Sequence, residues 1–301
     1  MIEVDGLTKR FGTKAAVDGL SFTVQPGVVT GFLGPNGAGK TTTMRVLLGL
    51  AAPTSGSATI GGRRYADIVR PTRTVGALLD ARAAHGARTA HHHLLCLAQA
   101  AGLGRERVAE VLDLVGLTSV ARSRVGTFSL GMSQRLGIAV ALLGDPPVLI
   151  FDEPLNGLDP EGIRWIRGLM RGMAGEGRTV LVSSHLMSEM ALVAERLVVI
   201  GRGRLIADTT VDDFVARHCA ESILVRADRP DELTAVLHAA GAAVATEDGD
   251  ALIVTGLSGT EIGKLALAEH VVLSELTPHR SSLEDAFMDL TRDTVEYGAA
   301  A

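Results

Sequence analysis

Short apolar runs separated by glycine-containing turns fill the first two thirds of the chain. Residues 147–151 and 179–182 are almost entirely apolar, and residues 28–33 have a similar character. None of these runs alternates apolar and polar residues, as a strand with one solvent-exposed face does. Such runs are typical of parallel strands that are covered on both faces. This part of the chain therefore predicts an α/β fold built on a parallel sheet.

The same patterns predict the remaining elements of this part of the chain. In chain order they are strands at 2–4, 20–24 and around 58–60, a helix at 41–50, an apolar run at 75–79, a helical region at about 83–143 and a hairpin of strands 197–200 and 204–207. Glycines at 102, 104 and 116 are expected to interrupt the helical region. Glycines at 201 and 203 mark the hairpin turn.

The pattern changes at about residue 221. Residues 222–226 and 251–254 predict strands, with a turn at 248–250 before the second. Residues 231–240 predict a helix that Asp231 caps and Gly241 ends, and residues 281–291 predict an amphipathic helix. We therefore expect two domains, residues 1–217 and a small α+β domain at 221–301. The second contains no cluster of reactive side chains.

Composition narrows the classes of function. The chain has 301 residues, of which 47% are hydrophobic, and a formal net charge of −5. An acidic balance argues against a nucleic-acid partner, because phosphate backbones require a basic surface. Cys96 and Cys219 form no ligand pattern, so we expect reduced thiols. The first residues do not resemble a signal peptide, and no run reaches the ~18 apolar residues that span a membrane. We expect a soluble protein that needs a partner to act at a membrane.

The stretch at 34–42 carries the clearest chemistry. It fits the phosphate-binding pattern G-x-x-x-x-G-K-[ST] and lies between a predicted strand and a predicted helix. Its residues are Gly34, Pro35, Asn36, Gly37, Ala38, Gly39, Lys40, Thr41 and Thr42. The glycines allow several backbone N–H groups to converge on a phosphate. Lys40 supplies a charge for the β- and γ-phosphates, and the Thr41 hydroxyl is a ligand for Mg²⁺.

Polar side chains follow two of the apolar strands. Asp152 and Glu153 end the first, and His185 ends the second. A carboxylate at this edge of a parallel sheet commonly holds Mg²⁺, and a second one can deprotonate a water molecule. If the sheet is parallel, His185 lies at the same edge.

Two further features have more than one interpretation. Phe11 lies in a predicted polar loop, where its ring could stack on a nucleobase or belong to the core. His91, His92 and His93 are consecutive, and consecutive helical positions point about 100° apart, so all three cannot ligate one ion. We expect a solvated helix start there.

The order of these motifs resembles the ATP-binding subunit of an ABC transporter over residues 1 to about 215. The resemblance implies that residues 34–42 are its Walker A motif, and that Asp152 and Glu153 are its Walker B aspartate and catalytic glutamate. His185 matches the switch histidine, and Phe11 matches the aromatic residue that stacks on adenine. The implied fold is a P-loop NTPase core of the ABC type with a β-subdomain and a helical signature subdomain.

The signature motif of that family corresponds to residues 128–135. Ser129 and Gly131 match the usual Leu-Ser-Gly-Gly-Gln form, whereas Phe128, Leu130 and Met132 depart from it. The resemblance implies that Ser129 and Gly131 contact the γ-phosphate of ATP bound to a second copy. Asp159 falls in the stretch that matches the D-loop. ATP would thus join two copies, and hydrolysis would release them.

Asp80 stands where the family has the glutamine of its Q-loop. It is a third candidate for the Mg²⁺ site. Its shorter side chain and its charge beside the γ-phosphate lead us to expect that it is withdrawn from the metal and acts in coupling to a permease. Together with the sequence at 283–287, this variant resembles the drug- and antibiotic-export branch, the daunorubicin- and bacitracin-resistance-like, ABC-2 type.

The leading interpretation is an ATPase, with ATP and Mg²⁺ as cofactors, that powers export of a small molecule through a separate membrane permease. Its implied place is the cytoplasmic face of the membrane, as a homodimer of ATP-binding subunits. The alternative is an ATP-switched interaction or regulatory protein that acts without a permease. One Walker A motif and the absence of heptads between 42 and 152 argue against the translation-factor and chromosome-associated types.

Overall fold

The computed structural model of the protein describes residues 1–218, 221–247, 251–280 and 283–292. Some sequence predictions concern residues outside these ranges: Cys219, the turn at 248–250, the first two residues of the helix at 281–291 and the end of the second domain at 293–301. No helix among the described residues is long and apolar enough to cross a membrane.

The chain divides into two compact units. The first contains Met1–Val211 and the described residues from Leu290 onward, and the second contains Asp212–Asp289. The sequence predicted a boundary at 217–221. The observed division falls earlier, because the helix Val211–His218, in which Phe214 is fully buried, groups with the second unit.

Strands of the first unit form two sheets. The strands are β1 (Ile2–Phe11), β2 (Lys14–Val24), β3 (Val29–Leu33), β4 (Ser55–Ile60), β5 (Val75–Leu78), β6 (Val148–Phe151), β7 (Thr179–Ser184), β8 (Arg196–Gly201) and β9 (Arg204–Thr210). β1, β2 and β4 form a three-stranded antiparallel sheet in the order β2-β1-β4. β1 is longer than the sequence predicted. Phe11 therefore ends a strand and does not lie in a loop.

The second sheet has six strands in the order β5-β6-β7-β3-β8-β9. All neighbouring pairs are parallel except β8 and β9, which form the predicted antiparallel hairpin. Every residue of β3, β6 and β7 is buried. The prediction of covered parallel strands is thus confirmed, and it places the ends of β3, β6 and β7 at one edge of the sheet.

Helices of the first unit are α1 (Lys40–Leu47), α2 (Pro71–Thr74), α3 (Ala90–Ala100), α4 (Arg105–Leu114), α5 (Leu130–Leu142), α6 (Pro160–Gly175) and α7 (Met187–Ala191). The prediction of a helical region at 83–143 is wrong for residues 83–89 and for the link between α4 and α5, which contains only two 3₁₀ turns. Thr89 and Ser129 cap α3 and α5 by accepting hydrogen bonds from backbone N–H groups, which sets where these helices begin.

One apolar layer joins the two sheets and α1. Met44 and Leu47 of α1 are 0% and 1% exposed, and they belong to a cluster with Leu7 and Leu20 of the antiparallel sheet and Phe32 of β3. Truncating a buried leucine or methionine to alanine typically costs about 2–5 kcal/mol of stability. The start of α1, and with it the loop at 34–39, is therefore anchored by the core.

The second unit contains α8 (Val211–His218) from its second residue onward, β10 (Glu221–Ala227), α9 (Pro230–Ala239), β11 (Ala243–Glu247), β12 (Ala251–Thr255), α10 (Gly259–Ala268), β13 (Leu273–Arg280) and the start of α11 (Leu283–Thr291). Its four strands are antiparallel in the order β11-β12-β10-β13. With α9 and α10 between them, they form the β-α-β-β-α-β arrangement of ferredoxin-like folds.

The start of α9 differs from its prediction. Arg229 is the N-cap residue and Pro230 opens the helix, so Asp231 lies inside the first turn and is not the cap. Proline suits the first helical position because its missing N–H would have no partner there. Asp231 then stabilises the positive end of the helix dipole.

Candidate functional site

The loop between β3 and α1 requires glycine at two close approaches. A Cβ added to Gly34 would lie 2.5 Å from the carbonyl oxygen of Ile200, and one added to Gly39 would lie 2.5 Å from that of Ala16. Gly39 is the N-cap of α1 with φ of 105°, and no side chain caps the helix there. The N-terminus of α1 is thus left to receive a ligand, as helix N-termini that bind anions are.

This loop lines a cavity of about 400 Å³. Residues 35–42 form its floor, and Phe11, Lys14, Ala16 and Glu153 complete its wall. Phe11 is 57% exposed, which excludes a role in the core. Its ring lies at the mouth of the cavity, with the Nζ of Lys9 4.9 Å from the ring centroid.

Lys40 is held inside the loop. Its side chain is 7% exposed, and its Nζ donates to the carbonyl oxygens of Gly34, at 2.6 Å, and Pro35, at 3.3 Å. Oε1 of Glu153 lies 3.6 Å from the same nitrogen. Burial lowers the pKa of Lys40 from its ordinary value, and the charges of Glu153 and Asp152 oppose that shift. An anion placed in the cavity would supply the compensation that these groups provide only in part.

Asp152 is buried between two hydroxyl groups. Its Oδ2 accepts a 2.6 Å hydrogen bond from Thr41, and its Oδ1 accepts one of 2.5 Å from Ser183. The same Ser183 oxygen accepts the backbone N–H of Glu153 at 2.9 Å. Ser183 was not among the site residues predicted from sequence. Its position near the end of a buried strand, beside the strand that Asp152 follows, is the signal that could have identified it.

Glu153 is fixed by several contacts. Its Oε2 lies 3.0 Å from Nδ1 of His185 and accepts a 3.4 Å hydrogen bond from Nδ2 of Asn156. Its backbone has φ of 48°, in the left-handed region that non-glycine residues rarely adopt. Nε2 of Gln134 donates to its carbonyl oxygen at 3.3 Å. Neither Asn156 nor Gln134 was among the site residues predicted from sequence.

The predicted metal ligands are only partly brought together. Thr41 and Asp152 touch, and they offer the hydroxyl and carboxylate oxygens that suit Mg²⁺. Asp80 is exposed, and its Oδ1 accepts a hydrogen bond from the backbone N–H of Arg82 at 2.8 Å. No hydrogen bond joins Asp80 to Thr41 or Asp152 in the described part of the chain. The oxygen pair of Thr41 and Asp152 therefore fits a magnesium ion without Asp80.

Ser129, Gly131 and Asp159 lie outside the cavity that Lys40 lines. Ser129 is the exposed N-cap of α5, and Asp159 caps α6 by accepting a 2.8 Å hydrogen bond from the N–H of Gly162. A Cβ on Gly131 would make ordinary contact, 3.4 Å from Leu158. Gly131 is partly exposed and packs beside Leu158 and Gly157 of its own chain.

A second cavity, of about 430 Å³, lies beside Asp80. Its wall is mainly apolar, and it includes Leu50, Leu97 and Tyr65. His93 contributes Nδ1, which is buried without a hydrogen-bond partner, and burial lowers its pKa. The expected solvated helix start therefore does not extend to His93, whereas His92 is exposed. No group of three potential metal-binding side chains occurs among the described residues.

Models of known protein families match residues in both parts of the chain. A model described as ABC transporter matches residues 17–156, and one described as an AAA domain matches residues 122–191. Residues 221–284 match a model described as a domain of unknown function.

Curated relatives match over most or all of the chain. An ABC transporter ATP-binding protein of Bacillus subtilis (strain 168), YhcH, is 36% identical over 98% of this chain and 97% of its own length. The bacitracin transport ATP-binding protein BcrA of Bacillus licheniformis is 41% identical over 72% of each chain. The linearmycin resistance ATP-binding protein LnrL of Bacillus subtilis (strain 168) is 35% identical over 74% of each.

Solved structures with the same fold cover 70–72% of this chain. The structure of an ATP-binding subunit of an ABC transporter has a TM-score of 0.66 and 29% identity, covering 72% of this chain and 92% of its own. A dimeric structure of a bacterial ABC transporter cassette has a TM-score of 0.65 and 23% identity, covering 70% and 99%. The latter likeness is one of fold.

Proposed function

This chain belongs to the family of ABC transporter ATP-binding proteins, and we propose that it binds and hydrolyses ATP to power export of a small molecule through a separate membrane permease. One observation carries the proposal. Lys40, Thr41, Asp152, Glu153 and His185 come from distant parts of the chain and meet at the edge of one sheet, around a cavity with a phosphate-binding floor.

Binding is assigned to the loop and the cavity mouth. The backbone of residues 34–42 and the charge of Lys40 receive the phosphates of ATP, and Phe11 offers its ring to the adenine. Thr41 and Asp152 hold Mg²⁺, which when bound neutralises charge on the phosphates. Ser183 keeps the Asp152 carboxylate turned toward Thr41 by occupying its other oxygen.

Glu153 is the general base in this proposal. Its carboxylate takes a proton from the attacking water, whose oxygen bonds to the γ-phosphorus while the bond to the ADP oxygen breaks. His185 and Asn156 both contact Oε2, so they orient the carboxylate and leave Oε1 facing Lys40. ATP must displace the contact between Lys40 and Glu153, because both groups line the same cavity.

A second copy completes the site. Ser129 and Gly131 cannot serve the cavity of their own chain, since they lie outside its wall. The proposal assigns them, with Asp159, to the γ-phosphate side of ATP held by a second copy. The exposure of Ser129 and Asp159 supports this arrangement.

The cavity beside Asp80 is proposed as the contact site for the permease. It is apolar, it opens at the surface, and Asp80 lies between it and the end of β5, next to the strand that carries Asp152. An apolar segment of the permease that enters this cavity would contact the end of β5, because Ala77 and Leu78 line the cavity. The chain would then lie at the cytoplasmic face of the membrane without entering it.

The transported molecule is proposed from relatives alone. Proteins named for bacitracin transport, lantibiotic transport and linearmycin resistance are 34–41% identical to this chain. We therefore propose a drug, antibiotic or lipid-like molecule as the exported substrate.

Reconstitution tests the proposal. The purified chain is combined in lipid vesicles with a candidate permease, chosen as a membrane protein encoded by a neighbouring gene, and phosphate release from ATP is measured with and without it. Hydrolysis by the chain and a change on adding the membrane protein are expected. Hydrolysis that no such membrane protein alters would favour an ATP-switched protein without a permease.

A further inference from the structure

Gln134 has an unusual position on α5. It is 5% exposed, and its Nε2 donates to two backbone carbonyl oxygens, those of Glu153 at 3.3 Å and Asn156 at 3.2 Å. These residues are the ends of a tight turn, which is closed by a hydrogen bond from the N–H of Asn156 to the carbonyl oxygen of Glu153. One side-chain amide thus ties α5 to the turn that carries the general base.

The amide oxygen of Gln134 indicates that this residue does more than fill space in the core. Oε1 of Gln134 is buried and has no hydrogen-bond partner. A buried acceptor without a partner costs stability, and an apolar side chain of similar length would avoid that cost. The amide therefore contributes something that an apolar residue does not, and its two N–H donors are the groups in use.

The turn needs support because Glu153 is strained. Its φ of 48° is unfavourable for a residue with a Cβ, and such conformations persist where neighbouring groups hold them. Ser183 accepts the N–H of Glu153, and Gln134 donates to its carbonyl oxygen. The backbone of the general base is therefore held on one side by β7 and on the other by α5.

In the proposed function, the same helix engages ATP on the second copy. Ser129 is the N-cap of α5 and Gly131 lies in its first turn, and Gln134 lies about 7.5 Å along the helix axis from Ser129. Leu130 packs so closely on Gly157 that a Cβ there would lie 2.0 Å from Leu130 Cδ2. The start of α5 and the segment after Glu153 are thus in direct contact.

From these contacts we infer that Gln134 is a positioning residue for ATP hydrolysis: it transmits the engagement of α5 with ATP on a second copy to the turn that places Glu153. The inference rests on the proposed function and adds a residue and a direction of coupling to it. Without the amide, two copies still close on ATP, but Glu153 is not held where it can accept the proton.

Gln134→Met tests the inference, since methionine keeps the length of the side chain and removes both donors and the unpartnered oxygen. We expect kcat for ATP hydrolysis to fall about 10- to 100-fold, as misplacement of a catalytic group does. The KM for ATP and the ATP-dependent dimer seen by light scattering should be the same as in the wild type. The thermal midpoint should be equal to that of the wild type or higher. A residue with only a structural role would instead lower the thermal midpoint and leave kcat of the folded protein unchanged.

Two control variants separate the amide from general effects. Gln99→Met makes the same change at an exposed position of α3, and Ile138→Met alters a fully buried position of α5. Both should keep kcat within about twofold. If Ile138→Met slows hydrolysis as much as Gln134→Met, any disturbance of α5 suffices and the inference is wrong.

A second variant covers the case in which Gln134→Met does not fold. Gln134→Glu has the shape of glutamine but donates only when protonated. Its kcat relative to wild type should rise as pH falls, because protonation restores one donor, and a constant ratio would overturn the inference. Hydrolysis at the wild-type rate in Gln134→Met would overturn the inference about Gln134 and leave the proposed function intact. Hydrolysis at the wild-type rate in Glu153→Gln would overturn the proposed function itself.

Discussion

The hydroxyl of Thr41 donates a 2.6 Å hydrogen bond to Oδ2 of Asp152, although 111 positions separate the two residues in sequence. Thr41 stands at the start of α1, and Asp152 directly follows β6, one strand removed from β3 across β7. The parallel order of these strands brings both oxygens to one edge of the sheet. Ser183 holds the second oxygen of the carboxylate, so the pair is oriented before any ligand arrives.

This pair leads to a prediction about magnesium. Asp152→Asn replaces a charged ligand by a neutral amide, and hard divalent cations prefer carboxylate oxygens. The Mg²⁺ concentration for half-maximal hydrolysis should rise at least about tenfold. ATP binding measured in EDTA should change little, because the loop and Lys40 remain. An unchanged Mg²⁺ requirement would remove Asp152 from the metal site.

Replacing Lys40 should have opposite effects on the stability of the nucleotide-free protein and on its binding of ATP. Burial lowers its pKa, so the fold disfavours the charged ammonium. Lys40→Met should therefore raise the thermal midpoint of the protein without nucleotide. It should also abolish the further rise that ATP causes in the wild type, since the charge on the β- and γ-phosphates is lost. Lys264→Met, in the second unit, is the control, and an ATP-induced rise in Lys40→Met equal to wild type would refute the phosphate-loop assignment.

The same pKa shift has a pH consequence. Below the folded pKa of Lys40, both the folded and unfolded states carry the proton. As pH rises from that value toward 10.5, the folded state loses its proton first, so the free energy of unfolding gains a contribution that rises with pH. The free energy of unfolding, measured by denaturant titration at a series of pH values, should rise more steeply with pH in the wild type than in Lys40→Met within that alkaline window. Near neutral pH the two proteins should show the same pH dependence.

Asp80 should act in coupling rather than in hydrolysis. Its carboxylate holds the N–H of Arg82 in a turn beside the apolar cavity and does not contact Asp152. Asp80→Ala should change hydrolysis by the isolated chain only a few-fold and should remove its response to the permease in vesicles. Asp80→Asn keeps an oxygen for the turn and serves as control. If Asp80→Ala is as inactive as Glu153→Gln in the isolated chain, Asp80 belongs to the catalytic centre.

The second unit should be separable from ATP binding. A chain that ends at Thr210 contains the whole cavity and should bind a fluorescent ATP analogue with wild-type affinity. A chain that ends at Arg217 keeps most of α8 and should bind the analogue with the same affinity. Loss of binding in a folded chain ending at Thr210 would show that the second unit contributes to the site.

Sequence predicted the parts of this structure that local patterns encode. Covered strands, the hairpin and the glycine-rich loop follow from runs of neighbouring residues. The groups around Glu153 were only partly found, because Gln134 and Ser183 act through contacts 19 and 30 positions away. The length of β1 was underestimated because Gly6 and Asp5 interrupt its alternation, and register shifts absorb that irregularity.

The account depends most on Glu153 as the base of a site that two copies complete. Loss of a positioned base typically slows a reaction about 10²–10⁴-fold. The direct measurement is phosphate release and molar mass of Glu153→Gln in ATP and Mg²⁺, the mass by light scattering. The account predicts slow hydrolysis in that range and a species of twice the 31.4 kDa chain that forms only with ATP. Wild-type turnover, or a slow variant that stays at 31.4 kDa in saturating ATP, would contradict it.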